Sequence, residues 1–227
     1  MPLAAFAKVV MGQSLVAISL FPTDLGWFAL TGTGRQVQGL AFGHASKAEA
    51  RKEMARRFPG EEWSEQDWNP AARKICTDYA AGRPADFSKI DVALAARTEF
   101  QRKVLLVVRG LGYGETASYG EVAERAGAPG AARAVGTVMS SNCIPLLIPC
   151  HRVTAAGGRL GGYSAPSGLG MKEQLLKMER EGLGLSGERN PGRSISPSSA
   201  SSRNSQQPAA RRASTKLSSK SSASRPK

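Results

Sequence analysis

The run Ile148-Pro149-Cys150-His151-Arg152-Val153 places a thiol directly beside an imidazole. A thiolate is a strong nucleophile, and a nearby base or positive charge lowers a thiol pKa from about 8.5. Pro149 cannot extend a ladder or a helix interior, so the backbone breaks immediately before Cys150. The apolar run 144–148 precedes the break and is expected to be buried. Cys150 is therefore expected on a rigid, partly buried turn. Adjacent side chains need not face each other, and a bare Cys-His pair is more often structural than catalytic, so the pair alone leaves both readings open. The other cysteines are Cys76 and Cys143, there is no C-x-x-C, and the only other histidine is His44. An odd cysteine count without paired spacing argues against a disulfide framework and for a reducing compartment. A Cys/His zinc site would need nearly every candidate ligand in the chain at once.

The elements that must position this turn fall into two styles. Residues 15–21, 26–30 and 37–42 are strand-like runs broken by Asp24, Gly32 and Gly34. Ser46 with Glu49 predicts a capped helix reaching about Arg57, stopped by Phe58-Pro59-Gly60. Pro70 predicts the start of a second helix running to about Ala81. From residue 93 the pattern is helical. Thr98 and Gln101 form a capping box; Phe100, Val104, Val107 or Val108, and Leu111 recur at helical spacing; Gly112 and Gly114 end that helix. Ser118 and Glu121 open the next helix, Gly127 closes it, and Ala128-Pro129-Gly130 turns into AARAVGTVMSSN. Two short helices joined by a glycine-containing turn resemble a helix-turn-helix, as any adjacent pair can. Ala131, Ala132, Ala134, Gly136 and Ser140 give the second helix little bulk. Such a face suits either tight packing on a neighbouring helix or insertion into a narrow nucleic-acid groove.

The chain has 227 residues, a formal net charge of +13 and 41% apolar content, which predicts a globular body. The charge is uneven. Residues 189–227 carry nine Lys/Arg and no Asp/Glu, leaving 22 basic against 18 acidic residues before them. The Ser-rich basic tail cannot bury enough apolar surface to offset its ordering entropy and is expected to be disordered. No apolar run approaches membrane-spanning length and no charged leader precedes an apolar region, so an intracellular, soluble protein is expected.

IPCHRV resembles the active-site signature of the O6-alkylguanine-DNA alkyltransferase family. TEFQRKVLLVVRGLGYGETASYGEVAERAGAPGAARAVG resembles that family's helix-turn-helix segment, and NCIPLLIPCHRVTAAGGRLGGYSAPSGLGMKEQLLKME its active-site segment. GWFAL and YAAGRPADF match more loosely, so the resemblance covers roughly residues 10–182. It implies that Cys150 accepts the alkyl group, that His151 takes the thiol proton through a water, and that Glu179 orients the histidine. It implies that Asn142 braces the turn and that Tyr119 lies beside a flipped nucleotide and donates a proton toward the leaving base. Arg133 would fill the space the base vacates, beside the small residues Ala132 and Ala134. Tyr163 and Ser164 would line the base pocket, with Lys172 supporting it from the following helix. Without the resemblance, the favoured reading of Arg133 is a phosphate contact or a surface arginine.

The implied fold is α+β: a ribonuclease-H-like α/β domain at 1–92, a helical domain with a (winged) helix-turn-helix at 93–187, and the tail at 188–227. The implied partner is double-stranded DNA carrying O6-alkylguanine, and O4-alkylthymine as well, entered through the minor groove by a monomer. The implied location is the cytoplasm or nucleoid, or the nucleus in a eukaryote. No cofactor is needed, because the thiol is the acceptor. No metal is expected: the zinc ligands of some members' N-terminal domain are not matched, and His44 and Cys76 read as structural. Two departures stand out: Cys143 follows Asn142 where the family often has proline, and Gly112 replaces the usual proline before Tyr113. The rival readings are a lesion-binding alkyltransferase-like protein without repair activity, a Cys-His hydrolase, and a sequence-specific helix-turn-helix regulator. The first of these rivals lacks the acceptor cysteine that stands here at position 150.

Overall fold

Strand β1 (Val16–Thr23) folds back on β2 (Gly26–Thr33), which folds back on β3 (Gln36–His44). The structure, a computed structural model, describes residues 16–94 and 97–185; the basic tail lies outside the described residues. Pairing of β1 with β2 runs from Ala17 opposite Gly32 to Thr23 opposite Gly26. Gly26 takes φ +94°, and a Cβ there would stand 2.7 Å from the His44 carbonyl oxygen, so the turn requires glycine. Gly32, expected to break a strand, instead lies inside β2 at an irregularity in its pairing with β3. A side chain there would collide with the Gln36 carbonyl, so the glycine permits close backbone approach rather than ending the strand.

The sheet buries both faces. Ile18, Ala29 and Ala41 point one way and pack with Ala50 and Met54 of helix α1 (Lys47–Arg57). Phe21, Phe28, Leu30, Leu40 and Phe42 point the other way, into a core shared with Cys76 and Tyr79 of α2 (Pro70–Ala80). Burying a side chain such as Phe28 or Leu40 contributes about 1.5–3 kcal/mol relative to exposure. The Ser46 hydroxyl caps α1 by accepting from the Glu49 N–H, and Pro70 occupies the first turn of α2. Strand β4 (Trp63–Glu65) adds to β1 in parallel, giving the order β3-β2-β1-β4.

The free edge of β3 leads toward the second half of the chain. Val37 donates to the Asp91 carbonyl at 2.8 Å, and Leu40 donates to the Cys143 carbonyl at 2.9 Å. Helix α3 (Glu99–Arg109) opens with the Thr98–Gln101 capping box and ends at Gly110, ahead of the stop expected at Gly112. Helix α4 (Tyr119–Arg125) opens with the Ser118–Glu121 capping box, and Gly127 follows it at φ +76°. Helix α5 (Ala132–Ser140) turns Val135, Val138 and Met139 inward and leaves Arg133 and Ala134 exposed. Helix α6 (Leu169–Gly182) buries Met171, Lys172, Leu175, Leu176 and Glu179 on one stripe. Among the helices expected in the second half lies a short parallel pair that the sequence pattern does not reveal, β5 (Ala117–Ser118) with β6 (Val153–Thr154). This pair ties the entry of α4 to the residues just after Cys150. One hydrophobic cluster runs from Phe21 to Leu175, so both halves share a core. Among the described residues no helix is long and apolar enough to cross a membrane. The structure is thus mixed α/β.

Candidate active site

Residues 144–150 are buried throughout. Leu146 takes φ +67°, a conformation that costs a non-glycine residue energy and must be held by its surroundings. Asn142 supplies part of that hold. Its amide donates to the Ile148 carbonyl at 2.8 Å, and its Oδ1 accepts from the Ile144 N–H at 3.0 Å. One side chain thereby fastens both ends of the apolar run, and the Cys150 N–H donates to the Ile148 carbonyl at 2.7 Å. Cys150 and His151 follow in a single 3-10 turn, Cys150–Arg152.

Cys150 forms part of the wall of a cavity of about 530 Å³, shared with Tyr119, Ala132, Arg133, Gly136, Met139, Ser140, Gly162, Tyr163 and Ser164. Tyr119 stands between two glycines. A Cβ on Gly136 would lie 4.0 Å from its ring, and one on Gly161, at φ +68°, would collide with it. The structure therefore brings Cys150, Tyr119, Arg133, Ala132, Tyr163 and Ser164 to one cavity. It places Ala134 on the exposed side of α5, outside that wall. Lys172 is also outside the wall. It is fully buried behind it, donating to the Val153 carbonyl at 2.5 Å and sitting 6.0 Å from the Tyr163 ring centre.

Burial pushes the Cys150 thiol up, while the Asn142 amide and the Lys172 charge act in the opposite direction without cancelling it. The resting group is therefore a thiol. Burial also pushes Lys172 down to about 8. Tyr163 is driven well above the usual phenol range, chiefly by burial and then by Cys150 and Glu179. His151 is lowered by burial despite the Glu179 carboxylate beside it, so the imidazole is neutral at pH 7 and able to accept a proton.

Glu179 is the centre of the network behind the cavity. Its Oε1 lies 2.8 Å from His151 Nε2 and accepts from Tyr79 Oη at 2.7 Å. Arg152 donates through Nη2 to Oε1 at 2.8 Å and through Nε to Oε2 at 3.0 Å, and the Gly114 N–H donates to Oε2 at 2.9 Å. Burial alone would raise this carboxyl, but the hydrogen bonds from His151 and Arg152, with the Arg152 charge, hold it well below the usual carboxylate range. With Nε2 hydrogen-bonded to the carboxylate, the imidazole carries its free lone pair on Nδ1. That atom is buried and has no hydrogen-bond partner among the described residues.

Sequence reasoning gives no role to Arg152, Tyr79 or the Gly114 N–H. The arginine stands in plain view inside the hexapeptide, whereas Tyr79 and Gly114 lie 100 and 65 residues from Glu179. Cys76 is fully buried, and burial pushes its thiol up to about 12. At Gly112 the N–H donates to Glu115 at 2.9 Å, a bond that proline could not make. Cys143 keeps its sulfur 3.9 Å from an Arg97 nitrogen and its carbonyl on Leu40.

Residues 99–181 match the family model described as 6-O-methylguanine DNA methyltransferase, DNA binding domain. The chain is 50% identical over 103 residues to a methylated-DNA–protein-cysteine methyltransferase of Mycolicibacterium paratuberculosis, covering 45% of this chain and 59% of that relative. The chain thus spans less than two thirds of the length of that mycobacterial relative. It is 37% identical over 164 residues to the protein of the same name from Methanosarcina acetivorans, covering 71% of this chain and 96% of the relative. The fold is similar to a crystal structure of Mycobacterium tuberculosis OGT in complex with DNA, with a TM-score of 0.61 and 33% identity over 73% of this chain and 94% of that one. A buried Cys-His-Glu constellation beside a cavity and a match over nearly the whole archaeal relative lead to one conclusion: the chain belongs to the methylated-DNA–protein-cysteine methyltransferase family.

Proposed function

We propose that this protein repairs DNA by moving an alkyl group from O6-alkylguanine, and from O4-alkylthymine, onto Cys150 in a single irreversible turnover. The observation that carries the reading is Cys150 in the wall of a cavity with room for an extruded base, about 530 Å³, backed by the His151–Glu179 pair. His151 Nδ1 takes the thiol proton through a water. The sulfur forms a bond to the alkyl carbon, the carbon–O6 bond breaks, and its electron pair goes to the guanine. Tyr119 donates a proton to the leaving base and is reprotonated through solvent. The base must leave the stack to reach the thiol.

Residues 93–187 act as the DNA-binding and acceptor domain, with α4 and α5 as a winged helix-turn-helix that enters the minor groove. Residues 1–92 act as a ribonuclease-H-like support. The protein works as a monomer, without cofactor or metal, in the cytoplasm or nucleoid, or in the nucleus of a eukaryote. The lesion-binding rival without repair activity lacks an acceptor cysteine, which this chain has.

The reading is tested with duplex DNA carrying O6-methylguanine: the methyl group should leave the DNA in proportion to protein added. DNA that stays methylated after prolonged incubation would exclude repair. The exposed Arg133, on the cavity wall, holds the gap left by the flipped base. Unstacking a base costs a few kcal/mol, so Arg133→Ala should slow repair of duplex DNA about tenfold to a hundredfold. The same variant should react with free O6-benzylguanine at close to the wild-type rate. Equal slowing on both substrates would contradict the flipping role.

Cys143 takes no part in the chemistry. Its carbonyl, which proline retains, makes the bond to Leu40. Cys143→Pro should leave the transfer rate within about twofold and raise the unfolding midpoint slightly, because proline narrows the unfolded ensemble. Total loss of transfer with the fold intact would mean that the nucleophile is misassigned.

A further inference from the structure

Tyr79 reaches the site from α2, 72 residues before His151. It is fully buried, and its ring is held 5.2 Å from Phe87 and edge-on to Tyr113 at 6.1 Å. Its hydroxyl donates to Glu179 Oε1 at 2.7 Å and lies 3.2 Å from His151 Nε2. The imidazole nitrogen and the phenol thus meet the same carboxylate oxygen. We infer that Tyr79 is a positioning residue for the alkyl transfer: its hydroxyl, wedged between Glu179 Oε1 and His151 Nε2, keeps the imidazole hydrogen on Nε2 and the proton-accepting lone pair on Nδ1. The inference rests on the alkyl-transfer reading of this site.

The phenol has one hydrogen, and Glu179 takes it. What the phenol then turns toward Nε2 is an oxygen lone pair, which favours a hydrogen on that nitrogen. The hydroxyl also occupies part of the carboxylate's accepting capacity. Other groups act on the imidazole: Glu179 and Lys172 from α6, and Arg152 from its own turn. Of these, Glu179 favours a protonated imidazole, and Arg152 and Lys172 oppose it. Removing the Tyr79 hydroxyl leaves more of the Glu179 charge facing His151. The imidazole then holds a second proton at higher pH, and a protonated Nδ1 cannot accept from the thiol.

Tyr79→Phe keeps the ring and deletes the contact. The rate of alkyl transfer from free O6-benzylguanine, measured against pH below the unfolding midpoint of every variant, reads the effect without DNA. Transfer in the variant should be about tenfold slower on the acid side, and the acid limb should move up by about one pH unit. Tyr113→Phe is the control. Its hydroxyl bonds the Gly82 carbonyl at 3.3 Å, and its loss should move neither rate nor limb. Nitrogen chemical shifts of His151 in unreacted protein give a readout independent of activity: hydrogen on Nε2 in the wild type, and a higher titration midpoint in Tyr79→Phe. An unmoved acid limb with unmoved nitrogen shifts overturns the inference, whether or not the variant is slower. A wild type that reacts with neither duplex nor free base would defeat the alkyl-transfer reading instead, and the nitrogen shifts would still decide the role of Tyr79.

Discussion

Wild-type protein mixed with excess O6-methylguanine duplex should gain one methyl group per chain, all of it on Cys150, and Cys150→Ser should gain none. Burial keeps Cys150 as a thiol at rest, so attack needs a base, and the neutral imidazole of His151 is adjacent in sequence and anchored by Glu179. A serine hydroxyl is far less acidic than a thiol and a poorer nucleophile toward saturated carbon. Losing a nucleophile from such a constellation costs on the order of 10⁴-fold or more in rate. The product is a thioether, which has no good leaving group. The sulfur is therefore consumed, and the count of transferred groups cannot exceed the count of chains. Intact-protein mass spectrometry reads both parts. Repeated turnover by one chain, or a mass gain that survives Cys150→Ser, would sink the mechanism.

Glu179→Ala should be the most destabilising single change near the site. The carboxylate is fully buried and receives Arg152, His151, Tyr79 and the Gly114 N–H. Arg152 is only 4% exposed, so deleting its partner leaves a guanidinium charge buried and unpaired. Breaking a buried pair in this way costs about 3–5 kcal/mol, a large part of the roughly 5–15 kcal/mol typical of a folded protein. The unfolding midpoint should fall by roughly 10 °C. Removing both charges with Glu179→Leu and Arg152→Met should recover much of the loss. Acid titration adds a sign. The lowered Glu179 contributes stability that is full above its ordinary 4.5 and is lost as pH falls below it. His151, also lowered, begins to oppose folding below its ordinary 6.5, because the unfolded chain binds the proton more readily. Glu179→Ala should therefore show a shallower loss of stability in strong acid than the wild type. A wild-type midpoint in the alanine variant would mean that the network contributes nothing net.

The helix starts are legible in the amino-acid sequence. Ser46, Thr98 and Ser118 cap the helices they are expected to open, because a cap is a local event in which a hydroxyl meets an N–H three residues on. The three long strands are visible in their apolar runs. The pair β5 and β6 is not, since two residues carry no period and their pairing joins Ala117 to Val153. Gly32 reads as a breaker because the usual meaning of glycine is a turn, whereas here it admits a neighbouring backbone. The burial of Lys172 is equally hidden, as lysine normally keeps its ammonium in water. Cys150 and His151 share a hexapeptide and stand out together. Tyr79 does not, because nothing periodic connects it to a glutamate 100 residues away.

That separation has a consequence for how the chain reaches its working form. The Tyr79–Glu179 contact closes a loop of 100 residues, whereas the His151–Glu179 contact closes one of 28. Loop-closure entropy grows only logarithmically, so the longer loop costs about 1 kcal/mol more. The larger effect is on order of assembly. Loop-closure entropy is spent before a distant contact can form, so the local turn and the end of α6 can meet first and receive the tyrosine later. On the role proposed for Tyr79, a chain that had closed only the shorter loop would hold its thiol and its imidazole but not the group that fixes which ring nitrogen is free. Chemical competence would then be the last property to mature, arriving when Tyr79 reaches Glu179.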